Sequence, residues 1–223
     1  MPSLIDTTLL AVAAAVAIPL SAQSPSHVRD RVPEQIDPRA RYVIYLHGRI
    51  IEDKGRRPTD SKWGVYEYDK LLEALAREGA VVISEQRKPN TDVDQFASHV
   101  VDQVHQLLRG GAPPERISVV GFSKGGAIAI RVSSLLQDPR VNFVFMAACG
   151  DGDFSRSTLN VSGRILSIFE ESDEVGRSCK GLFAKSTSKA PRSETEIHVG
   201  EHHGTFYRPH EEWLRPVLQW IAQ

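Results

Sequence analysis

The segment from residue 117 to residue 130 constrains the fold more than any other part of the chain. It starts with a short apolar run, passes through the turn Gly-Phe-Ser-Lys-Gly-Gly and continues as Ala-Ile-Ala-Ile. A serine between a buried strand and a helix must turn the backbone sharply, so its hydroxyl projects above the sheet. Gly121 and Gly125 lack the Cβ atoms that would collide where strand and helix cross. The pattern predicts a nucleophile elbow with Ser123 at its tip.

The helix after Ser123 would point its free N–H groups and the positive end of its dipole at an oxyanion formed beside the serine. We therefore expect the backbone N–H of Lys124 to be one oxyanion donor. The pattern Gly-x-Ser-x-Gly also occurs by chance, in strand-turn-helix segments whose serine is an ordinary surface residue. The interpretation therefore depends on a base and a carboxylate elsewhere in the chain.

Short apolar runs alternate with amphipathic segments along most of the chain. The runs that predict buried strands are 42–46, 80–84, 117–122, 141–148, 164–169 and 196–199. Helical spacing is found at 68–77, 92–108, 124–136 and 212–222. This alternation predicts an α/β domain over residues 23–223, with a mostly parallel sheet of about six strands and helices on both faces. Catalytic groups on such a sheet lie in loops at the carboxyl ends of the strands.

A base for Ser123 is expected at such a strand end, because a serine hydroxyl is a poor nucleophile until a base takes its proton. His202 and His203 follow the last predicted strand. We favour His203, because the glycine after it leaves room for a loop that carries the imidazole. A third histidine, His210, completes a set that would suit metal-dependent hydrolysis, but no His-Glu-x-x-His spacing supports that alternative.

The carboxylate that orients the base is expected after the preceding strand, where Glu-Glu-Ser-Asp-Glu begins at residue 170. Asp173 is best placed, since the strand has ended before it. Glu170 and Glu171 are interpreted as solvated charges at the sheet edge. Asp151 and Asp153, after the strand before that, are the alternatives for the acid.

Charge and length narrow the classes of partner. The chain has 223 residues and a formal net charge of −1, so it offers no basic surface of the kind that binds nucleic acid. Residues 9–20 are apolar and are followed by Ser-Ala-Gln, which is similar to a secretory signal and shorter than a membrane span of about 20 residues. We expect residues 1–22 to be a signal peptide, giving an exported protein without stable membrane insertion. An N-terminal helix that stays on a cytoplasmic protein is the alternative.

Two cysteines, Cys149 and Cys179, match no zinc pattern. Each follows a predicted strand, on what should be the same rim of the sheet. In an oxidising compartment they could form a disulfide. Two unpaired small residues are the alternative, and the sequence leaves both open.

The chain order Ser123, Asp173, His203 is the order described for one fold. Together with Leu-His-Gly at 46–48 and His-Gly at 203–204, it makes the chain resemble the α/β-hydrolase fold from about Tyr42 onward. The resemblance is strongest to the small branch with little or no cap, which includes dienelactone-hydrolase-like proteins and carboxylesterases. Dienelactone hydrolases proper use a cysteine nucleophile, so their activity is not expected here.

The resemblance implies a role for each matching residue. Ser123 would be the nucleophile, His203 the general base and then acid, and Asp173 the carboxylate that orients it. The backbone N–H groups of Lys124 and Arg49 would form the oxyanion hole, with no cofactor and no metal. His47 matches a position that is usually structural in the family.

The expected function is that of a serine hydrolase that cleaves a carboxylic ester, thioester or amide of a small-molecule acyl substrate. Residues 149–163 are too few for a cap, so we expect an open site. The interval 49–62 is interpreted as a charged loop, whose cations together with Lys124 would favour an anionic substrate. A solvated loop without that role is the alternative, and a non-catalytic domain that binds a ligand or partner at the same cleft is the alternative function.

Overall fold

The computed structural model describes residues 27–150 and 158–223. The predicted signal peptide and the alternative acids Asp151 and Asp153 lie outside these residues. Within the described ranges, no helix combines the length and the apolar character needed to cross a bilayer.

A parallel sheet forms the centre of the described structure. Its strands are β1 (Val28–Arg29), β2 (Tyr42–Leu46), β5 (Val81–Ile83), β6 (Ile117–Phe122), β7 (Asn142–Met146), β8 (Arg164–Glu170) and β9 (Arg192–Ile197). They lie in the order β1-β5-β2-β6-β7-β8-β9, and every neighbouring pair is parallel. The predicted sheet of about six strands is confirmed, with the two-residue β1 added at one edge.

Helices cover both faces of the sheet, as the alternating pattern predicted. They are α1 (Arg49–Lys54), α2 (Tyr68–Leu75), α3 (Val93–Arg109), α4 (Lys124–Leu136), α5 (Lys180–Lys185) and α6 (Glu211–Ala222). Strand β2 is buried along its whole length, and its successive side chains enter two different cores. Val43 belongs to the core that includes Leu71 of α2 and Trp213 of α6, whereas Ile44 belongs to the core that includes residues of α3 and α4. This alternation follows from the two-residue period of a strand.

The register of the strands brings their carboxyl ends to one edge. Leu46 lies opposite Gly121, Phe122 lies opposite Met146, and Met146 lies opposite Ile168. The residues that directly follow these strands are therefore neighbours. This is the edge at which ligands bind in open parallel sheets.

The interval 49–62, predicted as a charged loop, is partly regular structure. It contains α1 and the first strand of an antiparallel hairpin, β3 (Thr59–Asp60), which pairs with β4 (Gly64–Val65). Ile51 is fully buried in the core, and this anchors α1 although most of its neighbours are charged. A six-residue helix is too short for hydrophobic periodicity to reveal it, and the loop prediction was wrong here.

Candidate active site

Ser123 lies in a sharp turn between β6 and α4. Its backbone has φ 55° and ψ −120°, a conformation that L-residues adopt at a cost of about 1–3 kcal/mol. The backbone N–H of Ser123 donates to Met146 O at 3.0 Å, and α4 starts at the next residue. A Cβ on Gly121 would collide with the carbonyl of Gly125, and a Cβ on Gly125 with that of Leu46. Only glycines permit this close crossing, which directs the hydroxyl of Ser123 away from the sheet.

The structure brings Ser123, His203 and Asp173 into one hydrogen-bonded chain. His203 Nε2 lies 2.9 Å from Ser123 Oγ, and His203 Nδ1 lies 2.7 Å from Asp173 Oδ2. Asp173 is fully buried and His203 is 4% exposed. If the Nδ1–H donates to the carboxylate, Nε2 is left as the acceptor for the serine proton. These are the contacts that a general base for Ser123 requires.

Asp173 is held as a carboxylate. Burial by itself disfavours its ionised form, but the hydrogen bond and the positive charge that His203 can supply act in the opposite direction. The backbone N–H groups of Val175 and Gly176 also favour the charged form, and the first of these lies 2.8 Å from Oδ1. The net effect lowers the pKa of Asp173 below its usual value. An ionised carboxylate is the species that can orient the imidazole and stabilise its protonated form.

The three histidines considered for metal-dependent hydrolysis, His202, His203 and His210, do not place their ring nitrogens close enough together to bind one metal ion. His202 Nδ1 lies 2.7 Å from Ser172 O, and His210 Nε2 lies 3.3 Å from Glu201 Oε2. The potential metal ligands that do converge in the described ranges are three exposed residues, Glu171, Glu196 and His198. None of the three histidines of the alternative belongs to this group.

The two glutamates at the end of β8 differ from each other. Glu171 is exposed and contacts His198, as expected for a charge at the sheet edge. Glu170 is 1% exposed, and the expectation that it is solvated was wrong. Its carboxylate accepts hydrogen bonds from Ser172 Oγ at 3.0 Å and from the backbone N–H of Val199 at 2.8 Å. These contacts connect the end of β8 to the segment that leads to the histidine.

The two predicted oxyanion donors are each the first residue of a helix. Arg49 starts α1 and Lys124 starts α4, and the N–H groups of a first turn have no partner within their own helix. A Cβ built on Gly48 would lie 3.8 Å from Ser123 Cβ, so the turn before Arg49 lies against Ser123. Gly48, Arg49 and Ser123 line the same cavity.

The cavity above Ser123 has a volume of about 340 Å³, within the range of small-molecule sites. Its apolar wall residues come from five separate segments of the chain, which the fold brings together. They are Ile50, Trp63, Phe122, Val175 and Tyr207. The cavity is thus suited to an uncharged acyl or alcohol group.

The cations expected to attract an anionic substrate have partners in the protein. Lys124 Nζ lies 2.6 Å from Glu52 Oε2, a carboxylate whose side chain has no exposure. Arg49 pairs with Asp53 at 3.3 Å, and the ammonium of Lys62 pairs with Glu174 at 3.1 Å. These three positive charges are therefore balanced by neighbouring carboxylates, whereas Lys54, which lines the cavity, contacts the backbone carbonyl of Thr59 at 3.4 Å. The structure gives no support to recognition of an anion by Lys124.

Cys149 and Cys179 form a disulfide, which resolves the two alternatives that the sequence left open. It links the segment after β7 to the residue before α5. Backbone pairing between Cys149 and Arg177 lies beside it, and Arg177 Nη1 donates to Asp173 O at 2.9 Å. The disulfide therefore supports the loop that carries Asp173.

No protein-family model and no curated protein sequence matches the chain. Solved structures of other proteins do share its architecture, and they identify the fold. A proposed dienelactone hydrolase from Klebsiella pneumoniae is 18% identical, with a TM-score of 0.58 over 86% of this chain and 90% of that one. A monoacylglycerol lipase from Paleococcus ferrophilus is 16% identical, with a TM-score of 0.57 over 84% of this chain and 96% of that one. An arylesterase is 14% identical, with a TM-score of 0.56 over 86% of this chain and 77% of that one. The chain has the α/β-hydrolase fold.

Proposed function

We propose that the protein is a serine hydrolase that cleaves carboxylic esters of small-molecule acyl substrates through an acyl-enzyme. One observation carries the proposal: a single imidazole, that of His203, is within hydrogen-bond distance of both Ser123 Oγ and Asp173 Oδ2. The strained backbone of Ser123 is a second support. The similar structures are those of a proposed dienelactone hydrolase, an arylesterase and a monoacylglycerol lipase, and these hydrolase activities agree with the proposal.

In the proposed reaction, His203 Nε2 takes the hydroxyl proton of Ser123 as Oγ attacks the carbonyl carbon of the ester. The carbonyl oxygen becomes an oxyanion, which the backbone N–H groups of Lys124 and Arg49 stabilise. Asp173 stabilises the imidazolium. Nε2 then gives its proton to the leaving alcohol as the C–O bond breaks, which leaves Ser123 acylated.

A water molecule completes the cycle. His203 takes one of its protons, the hydroxyl attacks the acyl carbon, and a second oxyanion forms in the same place. Its collapse releases the carboxylic acid and returns the proton to Ser123 Oγ. Thioesters and amides differ in the leaving group, so the same residues could act on them.

The cavity favours short and uncharged esters. Its volume of about 340 Å³ is near the lower end of ligand sites, and its walls are largely apolar. Arg49 and Lys124 are paired with carboxylates, and the cavity lining carries Asp53 and Asp60 as well as Lys54, so a negatively charged ester gains little from these cations. We expect neutral short-chain esters to be turned over faster than matched anionic ones, at low and at high salt.

We further propose that the protein is exported and loses residues 1–22. The disulfide between Cys149 and Cys179 agrees with this, because structural disulfides persist mainly in oxidising compartments. The mature chain should then begin at Gln23. N-terminal sequencing of protein from the native host tests this, and a mature chain that retains residue 1 or 2 would contradict it.

The decisive experiment is labelling with a fluorophosphonate probe, followed by mass-spectrometric mapping of the adduct. We expect labelling at Ser123, and its loss together with ester turnover in Ser123→Ala. Ser98→Ala, at an exposed serine on α3, is the control and should be labelled like wild type. A folded wild-type protein that neither reacts with the probe nor hydrolyses esters would instead favour a non-catalytic binding domain.

A further inference from the structure

A buried cluster of three charged side chains lies behind the proposed oxyanion hole. Glu52 accepts from Arg87 Nε at 2.7 Å through one carboxylate oxygen and from Lys124 Nζ at 2.6 Å through the other. The side chains of Glu52 and Arg87 have no exposure, and that of Lys124 is 17% exposed. Glu52 therefore links two cations at once, away from bulk solvent.

The three residues come from three segments, of which the two that begin at Arg49 and Lys124 lie beside Ser123. Glu52 lies on α1, the helix that starts at Arg49. Lys124 is the first residue of α4. Arg87 follows β5 and is held by His47, which accepts from the Arg87 backbone N–H at 3.0 Å through Nε2 and from the guanidinium through its carbonyl oxygen. The cluster thus connects both helices that carry the predicted oxyanion donors.

Folding stability alone does not explain such a cluster. Desolvating three charges costs several kcal/mol per ion, and apolar side chains of similar volume are often as stabilising as a buried ion pair. Charged pairs do, however, impose direction and distance, which apolar contacts impose only weakly. The contact between α4 and the end of β2 is already close, because Gly125 lies against the backbone carbonyls of Leu46 and His47. The bond from Glu52 to Lys124 adds a fixed link at the same contact.

We propose that Glu52 is a positioning residue, whose carboxylate joins α1 to α4 and so fixes the separation between the backbone N–H groups of Arg49 and Lys124. The inference rests on the proposed function, because those two N–H groups matter only if an oxyanion forms between them. Glu52 acts on the reaction through Lys124 and α1, without contact to the substrate. Its contribution should appear in the transition state and be nearly absent from substrate binding.

Two variants test the link. Lys124→Met removes the ammonium, keeps the backbone N–H and leaves the pair between Glu52 and Arg87 intact. Glu52→Gln removes the charge that holds both cations, and it is the more disruptive change because Arg87 stays buried without a counter-ion. Lys124→Arg should restore the bond to Glu52. Lys70→Met is the matched control, since it removes an exposed ammonium on α2 that pairs with Glu67, the residue before that helix.

The expected result is a fall in kcat of about 10- to 100-fold for Lys124→Met on a neutral ester, with KM changed by less than about twofold. A boronic acid, which forms a tetrahedral anion on a serine nucleophile, should bind more weakly by a similar factor. Lys124→Arg should recover most of kcat, and Lys70→Met should equal wild type. Thermal unfolding shows which variants are folded, and Lys124→Met decides the question if Glu52→Gln does not fold.

The outcomes separate this inference from the proposed function. A wild-type protein that hydrolyses esters while folded Lys124→Met keeps its kcat within twofold overturns the positioning role alone. A loss that appears in KM, without weaker boronic acid binding, also overturns it. A folded wild-type protein without ester turnover and without fluorophosphonate labelling overturns the proposed function and this inference together.

Discussion

Two buried imidazoles, those of His203 and His47, lie at the carboxyl edge of the sheet, and they differ in the charge of the side chain beside them. His203 contacts a carboxylate, with its Nδ1 at 2.7 Å from Asp173. His47 contacts a cation, with its ring nitrogens beside the backbone and the guanidinium of Arg87. Burial, and next the charge of Arg87, lowers the pKa of His47 to about 3. His47 is therefore neutral at any ordinary pH and cannot accept a proton during turnover.

The comparison indicates that a buried histidine at this edge of the sheet can serve as a base where a carboxylate faces it, as at His203, and not where a cation adds to the effect of burial, as at His47. An imidazolium next to Asp173 is stabilised by the carboxylate, whereas an imidazolium next to Arg87 is opposed by a like charge. The role of His47 is instead to hold Arg87, through its ring and through its carbonyl oxygen. The proposed base and this structural histidine can thus be separated experimentally.

The largest contrast is expected from the same substitution at both histidines. His203→Gln should lower kcat by about 10⁴- to 10⁶-fold, because among the described residues His203 is the group that lies within hydrogen-bond distance of Ser123 Oγ. His47→Gln should lower kcat by less than about tenfold and lower stability instead. Ester turnover and urea unfolding of both variants measure this. Similar losses of kcat in two folded variants would remove the distinction between the two imidazoles.

A similar contrast is expected between the two buried carboxylates of the neighbouring loop. Asp173→Asn should lower kcat by about 10³- to 10⁴-fold, because the amide cannot stabilise the imidazolium and favours the wrong tautomer. Glu170→Gln is the matched control, since Glu170 is equally buried but its carboxylate bonds to Ser172, Val199 and Gly200 instead of His203. Glu170→Gln should keep kcat within a few-fold of the wild-type value and should unfold at a lower urea concentration than wild type. If Asp173→Asn retains nearly full turnover, another carboxylate orients His203.

Local patterns were sufficient to predict most of the fold and to nominate the residues of the site. The buried parallel strands are largely apolar runs, and the turn at Ser123 needs glycines at fixed positions. Both features can therefore be recognised in a short stretch of sequence. The chain order of Ser123, Asp173 and His203 then indicated which strand ends to search. Their catalytic roles remain predictions, although the structure places the three side chains in contact.

What the sequence did not reveal depends on contacts between distant residues. Strand β9 was predicted at 196–199 but spans Arg192–Ile197, because an edge strand can be polar: Glu194 accepts from the backbone N–H of Cys179 at 2.6 Å. The burial of Glu170 depends on the segment after β9. The bond from Lys124 to Glu52 joins residues 72 positions apart, so the pairing of that charge could not be read from either segment alone.

A third test uses the dependence of stability on pH. The unfolded chain takes up a proton at His47 below about pH 6.5, whereas the folded protein does not do so until about pH 3. The free energy of unfolding should therefore fall as the pH is lowered through this window, by on the order of 3 kcal/mol between pH 6.5 and pH 4 from His47 alone. Urea titrations across this range should give a smaller fall for His47→Gln, in which Asp173 and the other shifted groups are retained. Parallel curves for the two proteins would contradict the neutral state of His47.

The smallest expected effect concerns one aromatic ring beside each imidazole. The ring of Trp63 lies 5.1 Å from that of His203, and the ring of Tyr68 lies 5.6 Å from that of His47. Trp63→Ala should lower kcat by about tenfold, because the imidazole of His203 loses a wall that holds it towards Ser123. Trp63→Phe should recover part of that loss.

Tyr68→Leu is the matched change at the other histidine, and it should lower stability while kcat stays within about twofold of wild type. Steady-state kinetics on one short neutral ester, with unfolding curves for each variant, separate the two expectations. A rise in KM at constant kcat in Trp63→Ala would mean that Trp63, which also lines the cavity, contacts the substrate instead of orienting the base. In that case Trp63 would differ from Tyr68 because it contacts the substrate, and neither ring would orient a base. The charges of Asp173 and Arg87 would then be the feature that distinguishes His203 from His47 as a base.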